Sequence, residues 1–361
     1  MLSYSKISNP LVKPFKTSFG TQLTRDAIIL TYQEGETRAF AEAVTEEAPL
    51  YGYEDNFTVI HMINSHLKGI FSPELEPYKF NEKAAAYRGH NMAKGALEML
   101  LWDINSKREG KPLHKFLGKS KGYADVGVSI GMSTIEDELK TIERSVKLGY
   151  RRIKVKIEKG FNIALLKAIR DKFEDIPISA DANQGFTRDD FRLLKKLDQF
   201  NLVYLEQPLP LEDINGHALL RKEINTPICL DESIESVESA TNAIEREAVD
   251  VINIKPGRVG GLQNSLDIME KAKENDIKVW IGGMLETGIG RSFNVSLASN
   301  TMVNMPGDTS PNFRYFKKDI TNETFEMRDG RISPFKGPGI GVTLDYEFFN
   351  GIQVEGARLI D

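Results

Sequence analysis

Short apolar runs recur along the middle of the chain, and each ends on a charged residue. Arg152–Lys156 reads Arg-Ile-Lys-Val-Lys, Ile178–Asn183 reads Ile-Ser-Ala-Asp-Ala-Asn, and Leu202–Pro208 reads Leu-Val-Tyr-Leu-Glu-Gln-Pro. Ile228–Ser233 and Val251–Pro256 continue the series as Ile-Cys-Leu-Asp-Glu-Ser and Val-Ile-Asn-Ile-Lys-Pro. The charges are evenly spaced: 25 residues from Lys156 to Asp181, 25 to Glu206, 25 to Asp231 and 24 to Lys255. A strand of about five residues, a helix of about twelve and two short loops have that period. Each step therefore reads as one βα unit, with its charge at the C-terminal end of the strand. In a parallel barrel that end carries the chemistry.

The pattern differs before and after this stretch. Ala27–Tyr32 and Thr37–Val44 flank Glu34-Gly35-Glu36 and predict a hairpin. A helix is predicted around Asp55–Leu67 and a longer one over Asn81–Lys107, with Leu97, Leu100, Leu101 and Ile104 on one face. Gly110 and Pro112 end it. Gly89 and Gly95 inside it each cost about 1 kcal/mol relative to Ala, so they mark close packing. The βα rhythm starts near Tyr123, with a strand at Asp125–Ile130 and helices at Thr134–Lys147 and Ile163–Phe173. It runs to a strand at Lys278–Gly282, and a short run at Thr301–Met305 is expected to close the barrel. The tail from Ile320 is turn-rich, at Asp329-Gly330 and Lys336–Gly341, and is expected to return to the N-terminal part. The predicted fold is α/β: a TIM-type (β/α)7β barrel over residues 121–319, with an α+β capping domain over 1–120 completed by 320–361.

Composition narrows the class. The 361 residues are long enough for two cores, and 40% hydrophobic with 27% charged residues is ordinary for a soluble protein. A net charge of −5 with both signs interspersed gives no nucleic-acid surface. The N-terminus lacks the apolar run of a signal peptide, and no stretch has the ~18 apolar residues of a membrane span. The expected location is the cytoplasm, with a small-molecule substrate, no membrane partner and a homo-oligomeric state. Cys229 is the single cysteine, so a disulfide within the chain and a cysteine metal cluster are both excluded.

Three carboxylates on successive strands, Asp181, Glu206 and Asp231, would converge and repel unless one took a proton. A divalent cation resolves this, and all-oxygen ligation selects Mg²⁺. Taken singly, each acid is more readily a helix N-cap or a surface acid after a strand, but three at one spacing are not. Lys156 and Lys255 bracket the acids on strands across the barrel, and Lys154 shares the face of Lys156 by alternation. A lone lysine would be read as snorkelling; near a metal and another cation its pKa is expected to fall toward that of a general base. His61, His66, His90, His114 and His217 all fall outside the strand ends. Gly257–Gly261 and Gly282–Gly290 lack the Lys-Ser/Thr of a phosphate loop and read as βα turns. A metal-binding barrel without catalysis is the reading from another class.

Together, Lys154-Val-Lys156, Asp181-Ala-Asn183, Glu206-Gln-Pro208, Asp231-Glu-Ser233 and Lys255-Pro-Gly-Arg-Val-Gly-Gly261 resemble the enolase superfamily, muconate-lactonizing subgroup. The resemblance implies Mg²⁺ on Asp181, Glu206 and Asp231, and proton abstraction beside a carboxylate through an enediolate. It implies Lys156 and Lys255 as the two bases and Lys154 as support for the developing charge. Three reactions compete within the subgroup: dipeptide epimerisation, formation of o-succinylbenzoate with N-acylamino-acid racemisation, and muconate cycloisomerisation. Dipeptide epimerases carry an Asp-x-Asp after the last strand that holds the substrate ammonium. Here Asn304–Pro311 keeps Asp308, with Pro306 or Ser310 at the partner position. An arginine follows Lys-Thr in the Ala-Glu epimerases, where this chain has Gly20 within the expected lid Lys16–Arg25. The expected substrate is therefore a small uncharged dipeptide such as Ala-Ala. Its expected contacts are Lys154, Asp308, Ser310, Glu286, Thr24, Arg25 and Ser129, with Glu286 on the substrate or holding a lysine.

Overall fold

The computed structural model describes residues 1–17, 20–160 and 162–360. Its N-terminal part is an antiparallel sheet built on β1 (Leu2–Thr17), β2 (Gly20–Glu34) and β3 (Thr37–Ala43). The β2–β3 hairpin turns at Gly35, whose φ of 58° is open to glycine without steric cost. β4 (Ala124–Asp125) leads into β5 (Gly127–Ile130), and β6 (Arg152–Lys156), β7 (Ile178–Asp181) and β8 (Leu205–Glu206) follow. β9 (Ile228–Leu230), β10 (Val251–Ile254) and β11 (Lys278–Ile281) complete a seven-stranded parallel sheet in the order β11-β10-β9-β8-β7-β6-β5. β12 (Arg331–Ile332) pairs with β4, and β13 (Gln353–Ile360) pairs antiparallel with β1. The tail thus returns to the N-terminal sheet.

The register places the charges level. Lys156 stands opposite Asp181, and Asp181 opposite Glu206. Most of the strand residues are buried because both faces of this sheet are covered, as a parallel sheet requires. Among the described residues, no strand joins β11 to β5, and the expected closing run at Thr301–Met305 does not form one. Instead the end of that run and the residues just after it, Asn304–Asp308, bridge the gap with backbone bonds to both sides. Asn304 and Met305 donate to Val279 O at 3.2 Å, and Asp308 donates to Ile281 O at 3.0 Å. On the other side Gly307 donates to Asp125 O at 3.0 Å and accepts from Gly127 at 2.7 Å. Pro306 has no N–H to give a ladder, which accounts for the irregular form. A Cβ at Gly307 would lie 2.5 Å from Ile281 O, so only glycine fits. The result is a half-barrel of seven strands with an irregular eighth station.

The predicted helix over Asn81–Lys107 is two helices, Pro77–Ala84 and Asn91–Arg108. Gly89 and His90, with φ of 66° and 55°, break it between them. Gly89 has nothing near its absent side chain, whereas Gly95 does mark a close approach: a Cβ there would lie 3.0 Å from Gly261 N and 3.1 Å from Gly260 C. The capping domain is further held by buried carboxylates on the N-termini of barrel helices. Glu98 accepts from Leu262 N at 2.9 Å and Gln263 N at 2.8 Å, at the start of Leu262–Glu274. Glu42 accepts from Thr287 N at 3.0 Å and Gly290 N at 2.7 Å, at the start of Gly288–Ala298. Each bond satisfies a donor that the helix itself leaves unpaired. Burial pushes both carboxyls up to about 7 against those bonds.

These contacts make Gly95→Ala an informative substitution. In an open helix it would stabilise by about 1 kcal/mol. Here the added methyl meets backbone that cannot rotate away, and overpacking costs roughly 1–3 kcal/mol. The expected outcome is a lower denaturant midpoint; a raised midpoint would mean that the two domains are not tightly docked at this point.

Candidate active site

The charges at the strand ends face a cavity between the barrel mouth and the capping domain. Lys154, Lys156, Asp181, Asn183, Asp231 and Lys255 line it from the barrel. Gln22, Arg25, Glu46 and Tyr51 line it from the cap, and Ser129, Asp308 and Tyr315 close one side. Asp181, Glu206 and Asp231 are no more than 2% exposed. None of the five histidines reaches the cavity. His217, for example, is buried against Leu209 N, and burial brings its imidazole down to about 4.

Alternation along β6 aims Arg152, Lys154 and Lys156 the same way, at successive depths. Lys154 Nζ lies 3.2 Å from Asp181 Oδ2 and 2.9 Å from Glu206 Oε2. Lys156 Nζ lies 2.6 Å from Asp181 Oδ2 and also donates to Asn183 Oδ1, whose amide donates to Glu232 at 3.0 Å. Across the barrel, Lys255 donates to Asp231 Oδ2 at 2.8 Å and to Tyr51 OH at 2.7 Å. Arg258 holds the other Asp231 oxygen, and also Tyr51 at 2.7 Å. The Trp280 ring underlies this layer, 5.0 Å from Lys154 Nζ and 4.8 Å from the Arg152 guanidinium.

Burial works to lower the Lys255 ammonium, but Asp231 and Tyr51 outweigh it and the net shift is upward. Lys154 rises as well, because Glu206, Asp181 and Asp308 outweigh its burial. With carboxylates as their nearest neighbours, both ammonium groups are held in the charged form. The carboxyl of Glu206 is pushed up to about 8 by burial and by the adjacent Asp181 charge.

Among the described residues, no three acidic, histidine or cysteine side chains are gathered as a ready metal-binding group. The acids are turned instead onto lysine and arginine. The donor set still fits a hard divalent cation: three buried carboxylates on adjacent strands, all oxygen, with the Cys229 thiol kept protonated by burial. Glu206 Oε2 adds a specific observation. It is buried, and its contact is the Lys154 ammonium at 2.9 Å rather than a hydrogen bond, while Oε1 accepts from Lys154 at 3.0 Å and Asn253 at 3.1 Å.

The expected substrate contacts divide. Ser129 and Asp308 meet at the cavity, but they meet each other: Ser129 Oγ donates to Asp308 Oδ2 at 2.8 Å, and Arg152 Nη2 holds Oδ1 at 2.9 Å. Burial works to raise the Asp308 carboxyl, and Arg152 and Lys154 hold it far below the usual carboxylate range. Its charge is thus already matched by a buried guanidinium, leaving little for a substrate ammonium. Ser310 is buried outside the cavity and donates to Gly127 O at 3.4 Å. Glu286 touches neither cavity nor lysine; it accepts from Met284 N at 2.7 Å and Asn294 at 2.8 Å and lies 2.9 Å from Arg291. Thr24 is exposed on the β2 edge of the hairpin and does not line the cavity. Of the expected lid Lys16–Arg25, Ser18 and Phe19 lie outside the described residues, and the flanks pair as β1 and β2 up to Thr17 and Gly20. Sequence reasoning missed Tyr51, Glu46, Gln22 and Tyr315, which come from turn and hairpin segments with no periodic signal. Arg152 had a signal: it occupies the same face of β6 as the two lysines.

Comparison with known proteins agrees with this geometry. Residues 4–118 match the N-terminal domain of mandelate racemase / muconate lactonizing enzyme, and residues 137–348 match the enolase C-terminal domain-like family. The chain is 41% identical to the o-succinylbenzoate synthase of Bacillus subtilis, over 94% of this chain and 93% of that protein. It is 40% identical to the N-succinylamino acid racemase of an Amycolatopsis species, over 93% and 92%. A crystal structure of an enolase-superfamily member from Listeria innocua superposes with a TM-score of 0.95 at 36% identity, covering 99% of this chain and 97% of that one. The L-Ala-D/L-Glu epimerase of Clostridium acetobutylicum is 27% identical over 81% of this chain and 84% of that protein. The expectation of a dipeptide epimerase is overturned by this ranking, and the neutralised Asp308 supplies a physical reason. Matched through both of its domains, the chain belongs to the enolase superfamily and is an enzyme of the isomerase or lyase type.

Proposed function

We propose that this enzyme forms o-succinylbenzoate by dehydration and racemises N-succinylamino acids at the carbon beside the carboxylate. The observation that carries the reading is the likeness, across nearly the whole chain, to proteins bearing those two names. The site supports it: two lysines face one another across buried acids, and Asp308 is occupied by Arg152 and Ser129. β6 and β10 are four steps apart in the strand order, with the irregular segment filling an eighth station. Lys156 and Lys255 therefore approach a bound substrate from opposite sides.

In racemisation, one lysine accepts the α-proton and the ammonium opposite delivers a proton to the other face, which gives the mirror-image product. In dehydration, a lysine accepts the proton beside the carboxylate and returns it to the departing hydroxyl, which leaves as water. Lys154, held cationic by Glu206 and Asp181, faces the negative charge that develops on the carboxylate. Asp181, Glu206 and Asp231 would hold Mg²⁺, which when bound supplies positive charge against that same development and draws the acids away from the lysines. Trp280 beneath and the cap above limit the water that reaches the two bases.

The direct assay offers the purified enzyme an N-succinylamino acid of one hand in D2O, and separately the dehydration substrate. Racemisation with deuterium at the α-carbon, together with o-succinylbenzoate formation, is the expected outcome. Neither product appearing would refute the proposal. The two-base arrangement has its own readout. Lys156→Ala should abolish racemisation yet leave exchange of the enantiomer whose hydrogen faces Lys255, and Lys255→Ala should show the opposite preference. Exchange of the same enantiomer by both variants would leave one lysine as a purely electrostatic helper.

Asp308 separates this reading from an ammonium-binding one. Asp308→Asn strips the buried Arg152 guanidinium of its partner, which costs roughly 3–5 kcal/mol. Lower thermal stability and slower turnover of N-acyl substrates are expected together. Unchanged stability with undiminished N-acyl turnover would mean that Asp308 serves some other group.

A further inference from the structure

Both activities proposed above involve a succinyl group, so the substrate carries a second carboxylate at the far end of an arm. The first sits at the reacting carbon, among the lysines. Four basic side chains line the cavity: Lys154, Lys156, Lys255 and Arg25. The three lysines are paired with strand-end acids at 2.6–3.2 Å. Arg25 stands apart from them, on β2 of the capping domain.

Arg25 is only 3% exposed, yet its guanidinium is poorly served. Nη2 donates to Val44 O at 2.8 Å. Nη1 has a long contact to Gln22 Oε1 at 3.5 Å, and its nearest counter-charge, Glu46 Oε1, is 3.6 Å away. That Glu46 oxygen already accepts from Gln22. Among the described residues, Nε makes no hydrogen bond at all. A buried guanidinium normally has its donors matched, ideally by a two-pronged carboxylate. Burial pulls the Arg25 pKa down, and the surrounding carboxylates, Glu46 foremost, do not restore it. A buried cation left short of acceptors on the wall of a substrate cavity is a site for an anion.

We propose that Arg25 receives the terminal carboxylate of the substrate's succinyl arm and so sets the preference for succinyl over neutral acyl groups. The inference rests on the function proposed above. The arm runs from the lysines toward the cap, while the reacting carbon stays at the barrel mouth. Glu46 is the competing anion beside Arg25, and removing its charge favours the substrate's carboxylate.

The test is a ratio: kcat/KM for racemisation of an N-succinylamino acid divided by that for the N-butanoyl derivative of the same amino acid, which ends in a methyl group. Arg25→Gln should reduce this ratio about ten- to a hundredfold, the worth of a charge-assisted bond. Arg25→Lys should recover part of it, and Glu46→Gln should raise it. A purely structural arginine would slow both substrates alike, and an unchanged ratio in Arg25→Gln overturns the inference. Should Arg25→Gln fail to fold, Glu46→Gln decides: an unchanged or lower ratio overturns it. Wild-type enzyme that racemises both substrates without preferring succinyl removes the role of Arg25 alone. Wild-type enzyme that racemises neither removes the proposed function itself.

Discussion

The rest of the structure depends on keeping three carboxylates buried side by side. Asp181, Glu206 and Asp231 sit on neighbouring strands whose register gives them little freedom to move apart. Each would be costly in isolation, since a buried charge is tolerated only when matched. Lys154, Lys156, Lys255 and Arg258 supply the match, and Arg152 with Asp308 extends it one layer deeper. The lattice explains why basic residues recur on β6 and after β10, and why Glu206 carries the strain of the arrangement as a raised carboxyl pKa. The same groups that stabilise the acids are those that can take, return or offset a proton. Stability and reactivity therefore draw on one set of contacts.

A barrel mouth of this polarity needs a roof to exclude water, and the capping domain is fixed in place by similar means. Glu42 and Glu98 occupy the N-termini of two barrel helices, where unpaired N–H groups await acceptors. Gly95 lets the helix Asn91–Arg108 press against the turn at Gly260 and Gly261. With the two parts docked, Tyr51 reaches Lys255 and Arg258, and Arg25 reaches the cavity wall. On the proposed function, the barrel would supply the reacting end of the site, and the cap the groups that distinguish one substrate from another.

How much of this was legible in the sequence follows from the range of each interaction. The strand-end charges could be read because one βα unit has a nearly fixed length, so Lys156, Asp181, Glu206, Asp231 and Lys255 keep step. The hairpin at Gly35 and the helix after Asp55 could be read because turn and cap chemistry is local. The irregular closing segment is harder to read: Pro306 and Gly307, just past the run Thr301–Met305, prevent a regular ladder. The break at Gly89 and His90 was hidden because the apolar spacing of Leu97, Leu100, Leu101 and Ile104 lies wholly after it and says nothing of the residues before. Asp308 misled for a different reason. Its role depends on Arg152, more than a hundred residues away, and a lone aspartate does not declare its partner. Glu286 and Ser310 likewise look available in the sequence and are used up by Arg291, Asn294 and Gly127 in the fold.

We propose that the buried acids take a divalent cation at the barrel mouth, and thermal unfolding of the enzyme with increasing Mg²⁺ tests this, beside the Glu206→Gln variant treated in the same way. A ligand that binds the folded chain alone raises its melting temperature by mass action. A saturable rise of several degrees is expected in the wild type and little or none in the variant. No rise in the wild type, or the same rise in both, would contradict it.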